Sequence, residues 1–104
     1  MKVLLTVEAI YDVADIADYI EDAFGEERAL QFEVDIERRF ERLGDYAHVD
    51  TGIRYKGSAI CKDVFSPSLI FFVVLDGEVH VLRVLREERD WHDALRRKQR
   101  YDYP

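Results

Sequence analysis

The sequence predicts an α+β fold: a strand, an antiparallel helical hairpin, then an antiparallel β-meander, with the hairpin packed on one face of a curled sheet. Three observations carry this. Two apolar stripes at helical spacing follow each other with Gly25 near the joint, the first of Ala9, Val13, Ile16, Ala17, Ile20 and Phe24, the second of Ala29, Phe32, Ile36, Phe40 and Leu43. After the unpatterned "DYAHVDT" the period changes to that of strands. Asp76-Gly77, between "LIFFVVL" and "EVHVLRVL", is a strong hairpin signal, since a two-residue type I′ turn needs positive φ at both centres.

The elements follow in order. "KVLLTV" reads as a short strand ending at Thr6, a helix N-cap, with Glu8 in the first helical turn where the dipole favours a carboxylate. Asp12, Asp15, Asp18, Glu21 and Asp22 fall mostly on the side of the first helix away from its stripe. Gly25 ends that helix and Gly44 ends the second. A link this short folds the two helices back as a hairpin. "GIRYKGSAICKDVF" is either one strand kinked at Gly57–Ser58 or two strands turning there. "LIFFVVL", apolar throughout, is expected in mid-sheet with both faces buried, and Pro67 at its start or in the loop before it. Counted as β-α-α-β-β-β, the fold leaves the C-terminal segment for a short third helix.

A chain of 104 residues with 48% apolar side chains supports one domain, here residues 1–104, with a basic tail from about residue 96. No apolar run approaches the roughly 18–20 residues that span a bilayer, and the N-terminus turns acidic too soon for a signal peptide. The single cysteine, Cys61, suits a reducing cytoplasm and reads as a small strand residue. The net charge of −7 is unevenly placed. Residues 1–50 carry five basic side chains against fourteen acidic ones, residues 51–104 ten against eight. Overall acidity argues against general nucleic-acid binding, which needs cations to neutralise phosphates, and leaves room for a local basic site in the second half.

That site falls in "VHVLRVLREERDWHDAL". Strict alternation puts Val79, Val81, Arg83 and Leu85 on one face and His80, Leu82, Val84 and Arg86 on the other. One face packs on the helices, where an arginine must pair or reach the rim. The opposite face is expected to be open, presenting its arginine to a ligand or partner from a rigid strand.

The stretch "TVEAIYDVADIADYIEDAFGEERALQFEVDIERRFERL", the strand pair, and "VHVLRVLREERDW" together resemble the ParE branch of the ParE/RelE superfamily of bacterial toxins. The sharpest points are Glu8-Ala9 with Asp12 and Ile16, Tyr19-Ile20, Phe24-Gly25, and Val84-Leu85 followed by Arg89-Asp90. This chain has Arg86 where members often have His, so a role that rests on an imidazole does not carry over. The resemblance implies the toxin of a type II toxin–antitoxin pair, a plasmid-stabilisation class, acting in the cytoplasm without cofactor. It implies a small antitoxin as partner and DNA gyrase as the target, inhibited by protein–protein binding without catalysis. The RelE branch offers the alternative, a metal-independent endoribonuclease that cuts mRNA on the ribosome. A member that has lost toxicity and only binds its antitoxin is a third reading.

Residues are assigned accordingly. Target binding falls to Arg83, Arg86, Arg89 and Trp91, an antitoxin to Tyr19, Phe24, Phe32 and Phe40. Under the ribonuclease reading, Arg54, Arg83, Arg86 and Arg89 would hold the scissile phosphate, with His92 as acid or base and Tyr101 stacking on a base. Each has a plainer reading: Arg89 and Asp90 pairing with neighbours, Trp91 a lid on the core, His92 an inert surface group. Arg96, Arg97, Lys98 and Arg100 would then be the basic end of a helix. His48, His80 and His92 show no metal-ligand spacing, so no metal is expected.

Overall fold

The computed structural model describes residues 1–45, 48–97 and 99–104. Tyr46 and Ala47 of the unpatterned link, and Lys98 of the cationic segment, lie outside the described residues. The elements are β1 (Val3–Leu5), α1 (Val7–Phe24), α2 (Glu26–Glu41), β2 (Val49–Tyr55), β3 (Ser58–Phe65), β4 (Ser68–Leu75), β5 (Glu78–Arg86) and α3 (Trp91–Arg97). The meander thus has four strands where β-α-α-β-β-β counts three, because Lys56 and Gly57 both take positive φ and turn the chain between β2 and β3. Asp76 and Gly77 do the same between β4 and β5, as the hairpin signal requires.

The sheet order is β1-β5-β4-β3-β2, with β1 parallel to β5 and the other pairs antiparallel. β4 lies between β5 and β3, and its first six residues are all buried, as a run apolar on both faces demands. Gly25, at φ 99, closes α1 and opens α2, so the hairpin joint is a single residue. The expected second stripe is buried throughout; in the first, Phe24 at the helix end is exposed instead.

Three expectations change. First, β5 does not alternate strictly. Phe71 pairs with Arg83 and Phe72 with Val81, so Leu82 is an extra residue in a β-bulge. The bulge slips every later side chain by one position. Val79, Val81 and Val84 face the helices, while Leu82 and Leu85 face the other way. Second, Asp12 is buried rather than solvated, since it sits on the stripe itself, three residues after Ala9 and four before Ile16. Third, the sheet face away from the helices is not open. It carries a second core of Ile53, Tyr55, Ile60, Phe71 and Leu82, roofed by Leu95 of α3 and by Tyr101.

Tyr101 belongs to a C-terminal strap that runs back along the molecule. The Asp102 carbonyl accepts from the Val7 N–H (2.8 Å), the Asp102 N–H donates to the Glu8 carboxylate (3.2 Å), and the Tyr103 hydroxyl meets His80 Nδ1 at 2.7 Å. Burial pushes the Tyr101 phenol up to about 12.

Each helix of the hairpin is pinned to the sheet by a bidentate ion pair. Asp12 of α1 accepts from Arg83 Nε at 2.7 Å and its Nη2 at 3.0 Å. Arg39 of α2 donates from the same two nitrogens, at the same distances, to Asp63 of β3. Asp63 is 1% exposed, so that guanidinium takes the place of water around its carboxylate.

Two outcomes follow from this packing. Arg39→Met should cost about 3–5 kcal/mol in urea denaturation by leaving Asp63 charged and unpaired, and adding Asp63→Leu should restore most of the loss. Tyr101 binds its proton more tightly folded than unfolded, where a phenol titrates near 10, so its contribution is complete below about pH 10 and is lost as pH rises through 12. Denaturation midpoints from pH 9 to 12 should fall with a loss of up to roughly 2–3 kcal/mol, and Tyr101→Phe should flatten that fall.

Candidate functional site

β1 pairs with β5 only as far as Val81, so from Leu82 onward the outer edge of β5 has no strand beside it. Side chains of the first helix take the place of that strand. The Thr6 hydroxyl donates to the Leu82 carbonyl at 2.8 Å and accepts from Ala9 N–H at 3.0 Å, serving as edge partner and N-cap together. Asp12 Oδ2 accepts from Val84 N–H at 3.0 Å as well as from Arg83. A main-chain donor and a guanidinium therefore share one carboxylate. The bond to Asp12 raises the Arg83 pKa, against a smaller lowering by burial, so Arg83 is a fixed cation.

Beyond Asp12 the edge opens into a groove of about 420 Å³ between α1 and the end of β5, lined by Asp15, Ile16, Val84, Arg86, Glu88 and Arg89 among others. Because the Val84 N–H points away from β4, the two-residue repeat aims the Arg86 N–H the same way. A second groove of about 500 Å³ lies farther along the hairpin, walled by Ile20, Phe24, Arg28 and Phe32 on the helices, by Phe65 at the end of β3 and by Pro67 of the turn after it. Arg86 of the first groove is held by Tyr19 of α1. The Arg86 guanidinium lies 3.7 Å from the Tyr19 ring centroid and pairs with Glu88. Ser66 donates to Glu87 nearby, which fixes the turn at the mouth of the second groove.

The residues assigned from the sequence are only partly brought together. Phe24, 59% exposed, lines the second groove, and Tyr19, 40% exposed, lines neither but meets Arg86 of the first; Phe32, at 7%, forms a groove wall, and Phe40, at 4%, lies in the core. Arg86 and Arg89 line the first groove, and Arg89 also borders a recess with Arg83, Asp90, Asp93 and Arg97. Among the described residues, Arg89 has no ion pair. Arg54 lies on β2, at the opposite edge of the sheet, and donates to the Gly57 carbonyl. Trp91 packs on Phe71 with ring centroids 5.3 Å apart, and His92 stacks on Trp91 at 3.5 Å. Tyr101 is buried against Tyr55.

Thr6 is the N-cap that the sequence reading expects, with its bond to the Leu82 carbonyl as an addition, whereas Asp12, Arg39 and Asp63 are not singled out there as structural anchors. Asp12 had a signal, a carboxylate at a stripe position; Arg39 and Asp63 are distant in sequence and had none. Cys61 has its pKa raised, first by burial and then by Asp50, so it stays a thiol at neutral pH. Among the described residues no group of three or more His, Cys, Asp or Glu could hold a metal ion. No helix there is long and apolar enough to cross a membrane.

Comparison with known proteins adds three findings. The family model for the ParE toxin of the type II toxin–antitoxin system parDE matches residues 3–91, which takes in both helices, the whole sheet and the first residue of α3. A search of curated proteins finds no match. Among solved structures, one described as the chromosomal ParDE TA system from P. aeruginosa superposes with a TM-score of 0.67 at 22% identity, covering 85% of this chain and 97% of that one. At that identity the superposition speaks for the fold, and the family model for the lineage: the chain belongs to the ParE toxin family of type II toxin–antitoxin systems.

Proposed function

We propose that the chain is a cytoplasmic toxin that inhibits DNA gyrase by binding it, and that a cognate antitoxin neutralises it by occupying the two grooves. The family match over residues 3–91 carries this reading. The ParDE system in the related structure supports an antitoxin as partner.

Geometry supports binding over catalysis. A ribonuclease needs cations converging on one phosphate and a proton carrier beside it. Here Arg83 is engaged by Asp12, Arg54 lies at the far edge of the sheet, Tyr101 is buried, and His92 leans on Trp91. Glu88, Asp90 and Asp93 interleave with the remaining arginines and dilute their field.

The antitoxin segment suited to these grooves is apolar with scattered acids. Its apolar side chains would cover Phe24, Ile20 and Phe32, and its carboxylates would meet Arg28 and Arg86. Its main chain can accept from the Arg86 N–H at the open β5 edge. The target face is the adjoining rim, with Arg86, Arg89 and Trp91, and Arg83 set deeper.

Purified protein should block plasmid supercoiling by gyrase in vitro and leave message intact in a translation extract. Message cleavage with supercoiling unaffected would favour the ribonuclease. Neither effect, alongside tight antitoxin binding, would leave a non-toxic antitoxin binder. Phe24→Ala should weaken antitoxin binding by roughly tenfold in calorimetry while sparing gyrase inhibition. Arg89→Glu with Trp91→Ala should do the reverse.

A further inference from the structure

The two outer edges of the sheet are built differently. At one of them β2 breaks register between Asp50 and Arg54, and its Gly52 and Ile53 N–H groups donate to the Asp50 carboxylate and the Thr51 hydroxyl. An edge bent and self-bonded in this way is a poor template for another strand. At the other edge β1 has β5 on one side and no strand on its other side. The Lys2 carbonyl accepts from the Val79 N–H, and the Thr6 N–H donates to the Val81 carbonyl. The two-residue repeat therefore turns the main-chain groups of Leu4 toward β5 and those of Val3 and Leu5 outward. Val7 is next in that outward series, and its N–H is taken by the Asp102 carbonyl, which ends the open edge. Beside Val3, Leu4 and Leu5 lies a groove of about 460 Å³, lined also by Ile10, His80 and Tyr103. Its two polar side chains, His80 and Tyr103, bond to each other, and Ile10 is 44% exposed.

We propose that two copies of the chain join through this edge, their β1 strands antiparallel about a two-fold axis at Leu4, so that the two sheets become one. The edge is complementary to itself. With the axis at Leu4, Val3 stands opposite the partner's Leu5 and Leu5 opposite the partner's Val3, and every outward N–H and C=O of these residues finds a bond. Leu4 meets the partner's Leu4 between the two apolar grooves. Charge is complementary along the same line. Lys2, whose side chain is 69% exposed, stands just before the strand, and Glu8 stands just past its other end, in the first turn of α1. Antiparallel pairing carries each Lys2 toward the partner's Glu8, whereas parallel pairing would set Lys2 beside the partner's Lys2. Chains of net charge −7 repel one another, so they associate best where charge is absent or opposite, as it is here. Nothing in the helices obstructs the pairing. α1 continues in the direction of β1, with Asp12 at Val84 and Tyr19 at Arg86, so the first helices of the two copies run away from the axis. The first groove, beside Val84 and Arg86, stays open.

Sedimentation equilibrium on the full chain should show its mean mass rising from one copy toward two with concentration. The contact is small beside the roughly 800 Å² per partner of a stable interface, so the rise belongs at high micromolar concentration. Val3→Pro removes an outward N–H that makes no bond to β5 and should weaken pairing about tenfold. Val3→Ala, which keeps that N–H, should pair more tightly than Val3→Pro, with circular dichroism showing both variants folded. Lys2→Glu chains and Glu8→Lys chains should each pair about tenfold more weakly, since the contacts at the strand ends then set like charge against like. An equimolar mixture of those two variants should pair as the wild type does, because each contact again joins opposite charges. A wild-type chain that stays single at every concentration would overturn the proposal. Pairing left untouched by Val3→Pro and by the charge variants would place the contact on another face and overturn it too. A mixture that stays single while the wild type pairs would overturn the antiparallel register.

Discussion

A single carboxylate, that of Asp12, organises the working end of this molecule. It lies in the apolar stripe of α1, where a charge is costly unless answered, and three donors answer it: two from Arg83 and one from the Val84 main chain. Because β1 is only three residues long, β5 would otherwise carry a bare edge from Leu82 onward. Thr6 and Asp12 close the first part of that edge and leave the rest to form a groove. The helix is thereby set at a fixed height against the strand, and the position of Tyr19 over Arg86 follows from it.

The pair between Arg39 and Asp63 repeats this arrangement on the other helix, from the same nitrogens at the same distances. Two buried ion pairs add little net stability over apolar replacements of equal shape. What they contribute is register. An apolar hairpin on an apolar sheet can slide along its axis at small cost, whereas a bidentate pair permits one setting. For a protein whose recognition surface is a groove between helix and strand, a shift of one turn would close the groove or misplace its walls. Sacrificing core area to two ion pairs is reasonable where the product is a binding surface.

The helices and the last hairpin turn were legible because each rests on local chemistry: stripes at helical spacing, Gly25 between them, and Asp76-Gly77 between β4 and β5. The family pattern was legible for a related reason, since its motifs mark caps and stripe positions. The features that escaped are those in which distant segments meet. The bulge at Leu82 has no signature within "VHVLRVLR", and it alone sends Val84 to the helix side and Leu85 to the other. The second core escaped because its roof, Leu95 and Tyr101, comes from a segment that reads as a charged tail. In "ALRRKQRYDYP" the cations dominate the composition, yet two uncharged side chains decide where it goes.

The same contrast bears on how charge should be weighed in so acidic a chain. Counting arginines near the end of β5 suggests a cationic cluster, but the structure sorts them into different states. Arg83 is engaged, Arg86 is stacked and paired, and Arg89 has no ion pair among the described residues. A field that attracts phosphates from a distance depends on the sum, and the sum is small here once Glu87, Glu88, Asp90 and Asp93 are included. A contact with a protein partner depends on individual groups held at known places. An arginine stacked on a tyrosine loses little freedom when a carboxylate arrives, because the plane of its guanidinium is already set. A surface built this way suits recognition by a few well-placed contacts and is poorly suited to gripping a nucleic-acid backbone.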